Sequence, residues 1–135
     1  MAYSDAVPDV TPIQGELQTQ VMTAVWRLNG GTVEQIRGAL PPRYQGAYTT
    51  VQTVLNRLAE RHLLTREREG RGIVYRPTFS EAEYLSGAIR RTLSGASSDA
   101  RRAALASIIG GLDPGELTEL QQLATEAGAR RKRKR

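Results

Sequence analysis

Apolar residues recur with a helical period in the middle of the chain. Val51, Val54, Leu55 and Leu58 stand at i, i+3, i+4 and i+7. At ~100° per residue they fall in one sector, which predicts an amphipathic helix with this stripe against a core. Thr49, Thr53, Asn56 and Arg57 project on the opposite side, with Tyr48 at the start and Thr50 and Gln52 on the flanks. That outward set is polar and free of acids until Glu60, whereas a merely solvated face more often carries Glu/Lys pairs. Just beyond it the period shortens. Residues 64–69 alternate weakly, and Ile73-Val74-Tyr75-Arg76 is β-branched and aromatic, so two strands are expected. Gly70-Arg71-Gly72 between them supplies positive-φ freedom and holds an arginine at the hairpin tip.

The flanking segments read as helices. Residues 14–28 should bury Leu17, Val21, Val25 and Leu28, with Met22 and Trp26 beside them, and Asn29-Gly30-Gly31 should end that helix. Thr32 caps a short helix over 33–40, and Ser80 caps another, with Glu81 and Glu83 in its first turn. The latter carries a stripe of Tyr84, Leu85, Ala88, Ile89 and Leu93. Residues 103–109, with Leu105, Ile108 and Ile109, precede Gly110-Gly111. Asp113-Pro114-Gly115-Glu116 then opens a last helix striped by Leu117, Leu120 and Leu123. Residues 1–12, with Pro8 and Pro12, read as a flexible leader, and 128–135 as a disordered basic tail.

A groove-reading helix followed by an arginine-tipped hairpin is what a DNA reader needs. Gln52 can pair with adenine, threonine methyls can touch thymine, and Arg57 can pair with phosphate or guanine. Arg66, Arg68 and Arg71 are placed for the adjacent backbone. The expected fold class is mainly α with a small β-hairpin wing: a winged helix-turn-helix over 13–79, followed by a helical dimerisation region over 80–127. Tyr84, Leu85, Ile89, Leu93, Leu105, Ile108, Ile109, Leu117, Leu120 and Leu123 would pair with a second copy, since one small winged domain offers them few partners.

Net charge adds less than the pI of about 10.1 suggests. The six residues 130–135 are all basic, and without them thirteen basic residues face fourteen acidic ones, a net −1. Residues 1–79 carry +2 and residues 80–129 carry −3. DNA binding is therefore indicated by where a few residues point, not by bulk charge. The chain has no cysteine and one histidine, His62. Thiolate chemistry is thus excluded, and no catalytic residue, metal site or cofactor is expected. No phosphate-binding loop motif occurs. Without a long apolar run or a signal-like N-terminus, a cytoplasmic protein that avoids membranes is expected.

Three blocks resemble the penicillinase-repressor (BlaI/MecI-type) family of winged-helix regulators. They are residues 15–26 (GELQTQVMTAVW), 47–58 (AYTTVQTVLNRL), and 66–71 (REREGR) followed by 74–77 (VYRP). The resemblance runs over about residues 13–127. It implies a homodimeric repressor on an inverted-repeat operator of double-stranded DNA, controlling β-lactamase or cell-wall-stress genes, with an inactivating protease or sensor as a further partner. Family members are typically cut at an Asn-Phe bond. The corresponding position falls near Leu105-Ala106-Ser107-Ile108, and no Asn-Phe pair occurs in the chain. The rival reading is a winged-helix protein-interaction module without specific DNA binding. A regulator with a small-molecule pocket among its C-terminal helices is a third, for which no convergent polar groups speak.

Overall fold

The computed structural model describes residues 7–133. Helices α1 (Glu16–Leu28) and α2 (Val33–Gly38), a 3-10 turn (Pro42–Tyr44) and α3 (Tyr48–Glu60) lead into an antiparallel hairpin, β1 (Leu64–Glu69) and β2 (Gly72–Pro77). Helices α4 (Glu81–Ser94), α5 (Ser98–Gly110) and α6 (Pro114–Arg133) follow.

The core sits where the first three helices meet the hairpin. Val21, Met22 and Val25 from α1, Ile36 from α2, and Val51, Val54, Leu55 and Leu58 from α3 are buried together, closed by Leu63, Leu64 and Tyr75. The stripe predicted for α3 is therefore its core face. On α1 the expectation fails at the last position, because Leu28 remains 43% exposed. Asn29 adopts a left-handed φ of 56°, and Gly30 N–H reaches back to Val25 O (3.0 Å), so the chain turns off before Leu28 can cover the core.

That turn also builds sheet. Gly30 has φ +103°, and a Cβ there would lie 2.7 Å from the Tyr75 carbonyl oxygen. Gly31 then exchanges two backbone hydrogen bonds of 2.9 Å with Tyr75. The Asn-Gly-Gly segment is thus both a helix stop and a one-residue third strand, a role its composition does not announce. Side-chain caps fix the later starts. Thr32 with Gln35, and Ser80 with Glu83, form reciprocal capping boxes, and Asp113 Oδ1 accepts from Glu116 N–H (2.8 Å).

Three further expectations need correction. Residues 7–12 are docked, whereas 1–6 lie outside the described residues. Val10 is 6% exposed within the core, Asp9 pairs with Arg91 (2.8 Å), and Arg61 donates to Thr11 O (2.8 Å). A lone apolar residue between prolines makes no period, so the pattern hid this contact. Tyr84, assigned to dimerisation, is buried in its own domain. Its ring lies 5.3 Å from that of Trp26, and its hydroxyl accepts from Ile13 N–H (2.7 Å). The first half of α4 therefore belongs to the winged unit. Residues 128–133, expected to be disordered, continue α6 as helix. Basic residues at a helix C-terminus suit the macrodipole, and alanine and arginine are good helix formers. Residues 134–135 lie outside the described ones.

Candidate nucleic-acid interface

The loop before α3 is fastened at both ends. Arg37 Nε donates to Gly46 O (2.6 Å), and Gln45 Nε2 donates to Leu40 O (2.7 Å). Arg43 lies 4.7 Å over the Tyr44 ring, and Tyr44 Oη donates to Glu16 (2.8 Å). That hydrogen bond to Glu16 raises the Tyr44 pKa above the ordinary phenol value. The start of α3 is thereby positioned without a cap of its own. Ala47 provides no side-chain acceptor, as Gly15 provides none for α1, whereas α2, α4, α5 and α6 each have one. Thr50 N–H closes the first turn on Ala47 O (3.0 Å), and no side chain caps the turn from outside.

Tyr48, Thr49, Thr50, Thr53 and Arg57 are exposed along one side of α3, with Gln52 and Asn56 half-buried at its edges. Their chemistry differs in ways the sequence does not separate. Thr53 Oγ1 donates to Thr49 O (2.9 Å), so its proton is engaged and its methyl is the part free to touch a partner. Asn56 is engaged too. Its Oδ1 accepts from Tyr75 Oη (2.7 Å) and from Arg66 Nη1 (3.2 Å). Asn56 thus joins α3 to both strands of the hairpin, which its reading as an outward contact does not capture. Tyr75 is 2% exposed, and burial holds its hydroxyl above the usual phenol range, opposed by the nearby Arg66 charge.

The hairpin register pairs Arg66 with Tyr75, Arg68 with Ile73, and Glu69 with Gly72. Alternation puts Arg66 and Arg68 on the face shared with Tyr75, and Glu67 and Glu69 on the other. The two acids share one cation there, since Arg76 bridges Glu67 and Glu69 at 2.8 Å each, which leaves the trio at a net −1. Sequence reasoning gave Arg76 no role, and only strand pairing could have supplied it. At the tip, Gly70 has φ +61°, while Gly72 is already paired in β2. The loop is therefore Gly70-Arg71, with the positive φ at its first position as in a type II′ turn, and Arg71 exposed. Of the candidate residues, the structure joins Asn56 and Arg66 directly, and Arg57, Arg68 and Arg71 have no side-chain partner among the described residues.

The family model described as penicillinase repressor matches residues 14–126. This chain belongs to the penicillinase-repressor family. It is a transcriptional repressor, not an enzyme. "Transcriptional regulator BlaI" of Mycobacterium tuberculosis is 35% identical over 117 residues, covering 85% of this repressor and 85% of that protein. The "Penicillinase repressor" of Bacillus licheniformis is 27% identical over 74 residues, 55% of this chain and 58% of the other. Among solved structures, that of the DNA-binding domain of the repressor BlaI aligns at TM-score 0.48 and 26% identity, covering 57% of this chain and 94% of that one.

Beyond the winged unit, the repressor leaves apolar side chains in the open. Leu85, Ile89, Ile108, Ile109, Leu120 and Leu123 are all exposed, with Ile108 at 61%, and Leu93, Leu105 and Leu117 are partly covered. No described helix is long and apolar enough to cross a membrane.

Proposed function

We propose that this repressor binds an inverted-repeat operator as a homodimer, with one α3 in each of two major-groove half-sites and each hairpin on the adjacent backbone. The observation that carries this reading is the open face of α3. An uncapped helix start, Thr49 and Thr50 hydroxyls without a partner among the described residues, Gln52 and Arg57 lie together beside a hairpin tied to the same helix through Asn56. Gln52 and Arg57 are the base readers; Arg66, Arg68 and Arg71 hold phosphates. Tyr48 flanks the helix start, and the Thr53 methyl offers an apolar contact.

The family's name, together with that of its Bacillus licheniformis relative, supports β-lactamase genes as targets, with cell-wall-stress genes as the wider class. The exposed leucines and isoleucines of α4–α6 support pairing through those helices, Tyr84 excepted. Release without an Asn-Phe bond requires another cleavage site or a different trigger. Residues 105–108 lie inside α5, so a protease acting there would first have to open a helix. Footprinting the purified protein on the region upstream of its own gene tests the reading. Protection of two half-sites about one helical turn apart is expected. Uniform, salt-labile coating of the fragment with no protected repeat would refute it.

A further inference from the structure

Residues 8–13 run between the winged unit and α4 and are fastened to both. Thr11 O accepts from Arg61 at the end of α3 (2.8 Å), and Thr11 and Pro12 line one cleft with Leu58 and Arg61. On the other side, Ile13 N–H donates to Tyr84 Oη (2.7 Å), and the Pro8 carbonyl lies against Gly87 in the middle of α4. A Cβ at Gly87 would collide with that carbonyl and come within 3.1 Å of Val10, which is itself buried in the core. Glycine inside a helix costs stability relative to alanine, and here it admits the Pro8 backbone. Little else holds α4. It makes no broad contact with α1, α2, α3 or the hairpin, and its buried residues are Tyr84, Gly87 and Ala88.

We infer that residues 8–13 are a strut that fixes the angle between α3 and α4, and thereby the spacing between operator half-sites that the repressor accepts. The inference rests on the homodimer reading proposed above. There α4–α6 join the two protomers, so any play between α4 and α3 becomes play between the two reading helices. A stiff connection makes engagement of the second half-site intramolecular at one span and forbids it at others, whereas a loose one accepts several spans at lower gain. The near end of α4 is anchored without the strut. Trp26 Nε1 donates to Phe79 O (2.9 Å), and the Trp26 ring lies 5.3 Å from that of Tyr84. Gly87 lies about two turns into the helix, and there the strut supplies the second point. Two points define a direction; one leaves a hinge. No residue of the strut belongs to the reading face, so its loss should spare recognition of a single half-site.

The test compares the full chain with two full-chain variants, Gly87→Val and Gly87→Ala. Both place a Cβ against the Pro8 carbonyl, and alanine favours the helix, so a change in Gly87→Ala does not come from a weakened α4. Each protein is titrated by anisotropy on a single half-site and on the footprinted repeat with its spacer lengthened or shortened by about one to three base pairs. Wild type should prefer the footprinted spacing by about tenfold or more. Both variants should lose most of that preference, bind the single half-site as wild type does, and still sediment as dimers. An unchanged spacing preference would overturn the inference. Equal losses on the half-site and the repeat would also overturn it, by making the segment a support of the reading domain. Dissociation of the variants to monomers would do the same, by making it a support of the dimer. A wild-type dimer that accepts all spacings alike would leave the strut nothing to set and overturn it too. A wild-type protein that sediments as a monomer would instead count against the homodimer reading itself.

Discussion

A single amide oxygen, Asn56 Oδ1, accepts both the Tyr75 hydroxyl and the Arg66 guanidinium, so its loss has separable consequences. Asn56→Ala leaves a buried hydroxyl unpaired and should cost about 1–3 kcal/mol of stability, whereas Tyr75→Phe removes the donor itself and should cost about 0.5–1.5 kcal/mol. Urea denaturation of the two variants measures the difference, and an equal loss would mean the hydroxyl finds water instead. Alkaline pH probes the same contact. Burial raises the Tyr75 pKa above 10.0, so the folded state favours the neutral hydroxyl. Its contribution is complete below the free phenol pKa and declines as pH rises through the higher folded value. Wild-type stability should therefore fall above about pH 10, and Tyr75→Phe should lose part of that fall. Tyr44, raised by Glu16, titrates in the same direction and is common to both proteins. The outward direction of Thr49, Thr53 and Arg57 was legible, because helical period alone fixes direction. Asn56's partners were not, because they depend on a strand register that the sequence leaves open.

At the scale of elements, the segment over 7–12 is held by shape more than by charge. The Asp9–Arg91 pair is exposed on both sides, so Asp9→Asn should change stability by less than about 1 kcal/mol. Gly87 is different, because a Cβ there would collide with the Pro8 carbonyl oxygen. Gly87→Val should detach the segment, cost about 1–3 kcal/mol by overpacking, and open residues 7–12 to protease. Thermal melts with limited proteolysis check this, and a Gly87→Val protein as resistant as wild type would show that the contact is dispensable. The α4 stripe illustrates the limit of periodicity. It correctly marks a helix with an apolar side, yet Tyr84 and Ala88 face Trp26 and the core while Leu85 and Ile89 face outward. A stripe names a face; it does not name the neighbour. The existence of the hairpin was legible for the opposite reason, since Gly70-Arg71-Gly72 and the β-branched run after it have few alternatives, although the register that shortens the loop to Gly70-Arg71 was not.

For the whole molecule, α5 and α6 bury little of their own apolar surface, and a second copy is the proposed cover. Ile108→Asp combined with Leu120→Asp should convert the protein to a monomer in sedimentation while leaving the winged unit folded. Operator affinity should then drop far more than random-duplex affinity, because only the dyad engages both protomers. A double variant that still sediments as a dimer would move the interface elsewhere. A test by truncation should cut after α4, since removing Tyr84 would also strip Trp26 of its aromatic partner.

The central claim is that α3 reads bases. Its most direct measurement is the affinity of wild type, Gln52→Ala and Arg57→Ala for the protected repeat and for a scrambled duplex of the same composition at one salt concentration. Each substitution should weaken binding to the repeat by about 1–3 kcal/mol while leaving the scrambled duplex nearly unchanged. Equal losses on both duplexes would reduce these side chains to phosphate contacts. Wild-type protein that fails to prefer the repeat would contradict the account.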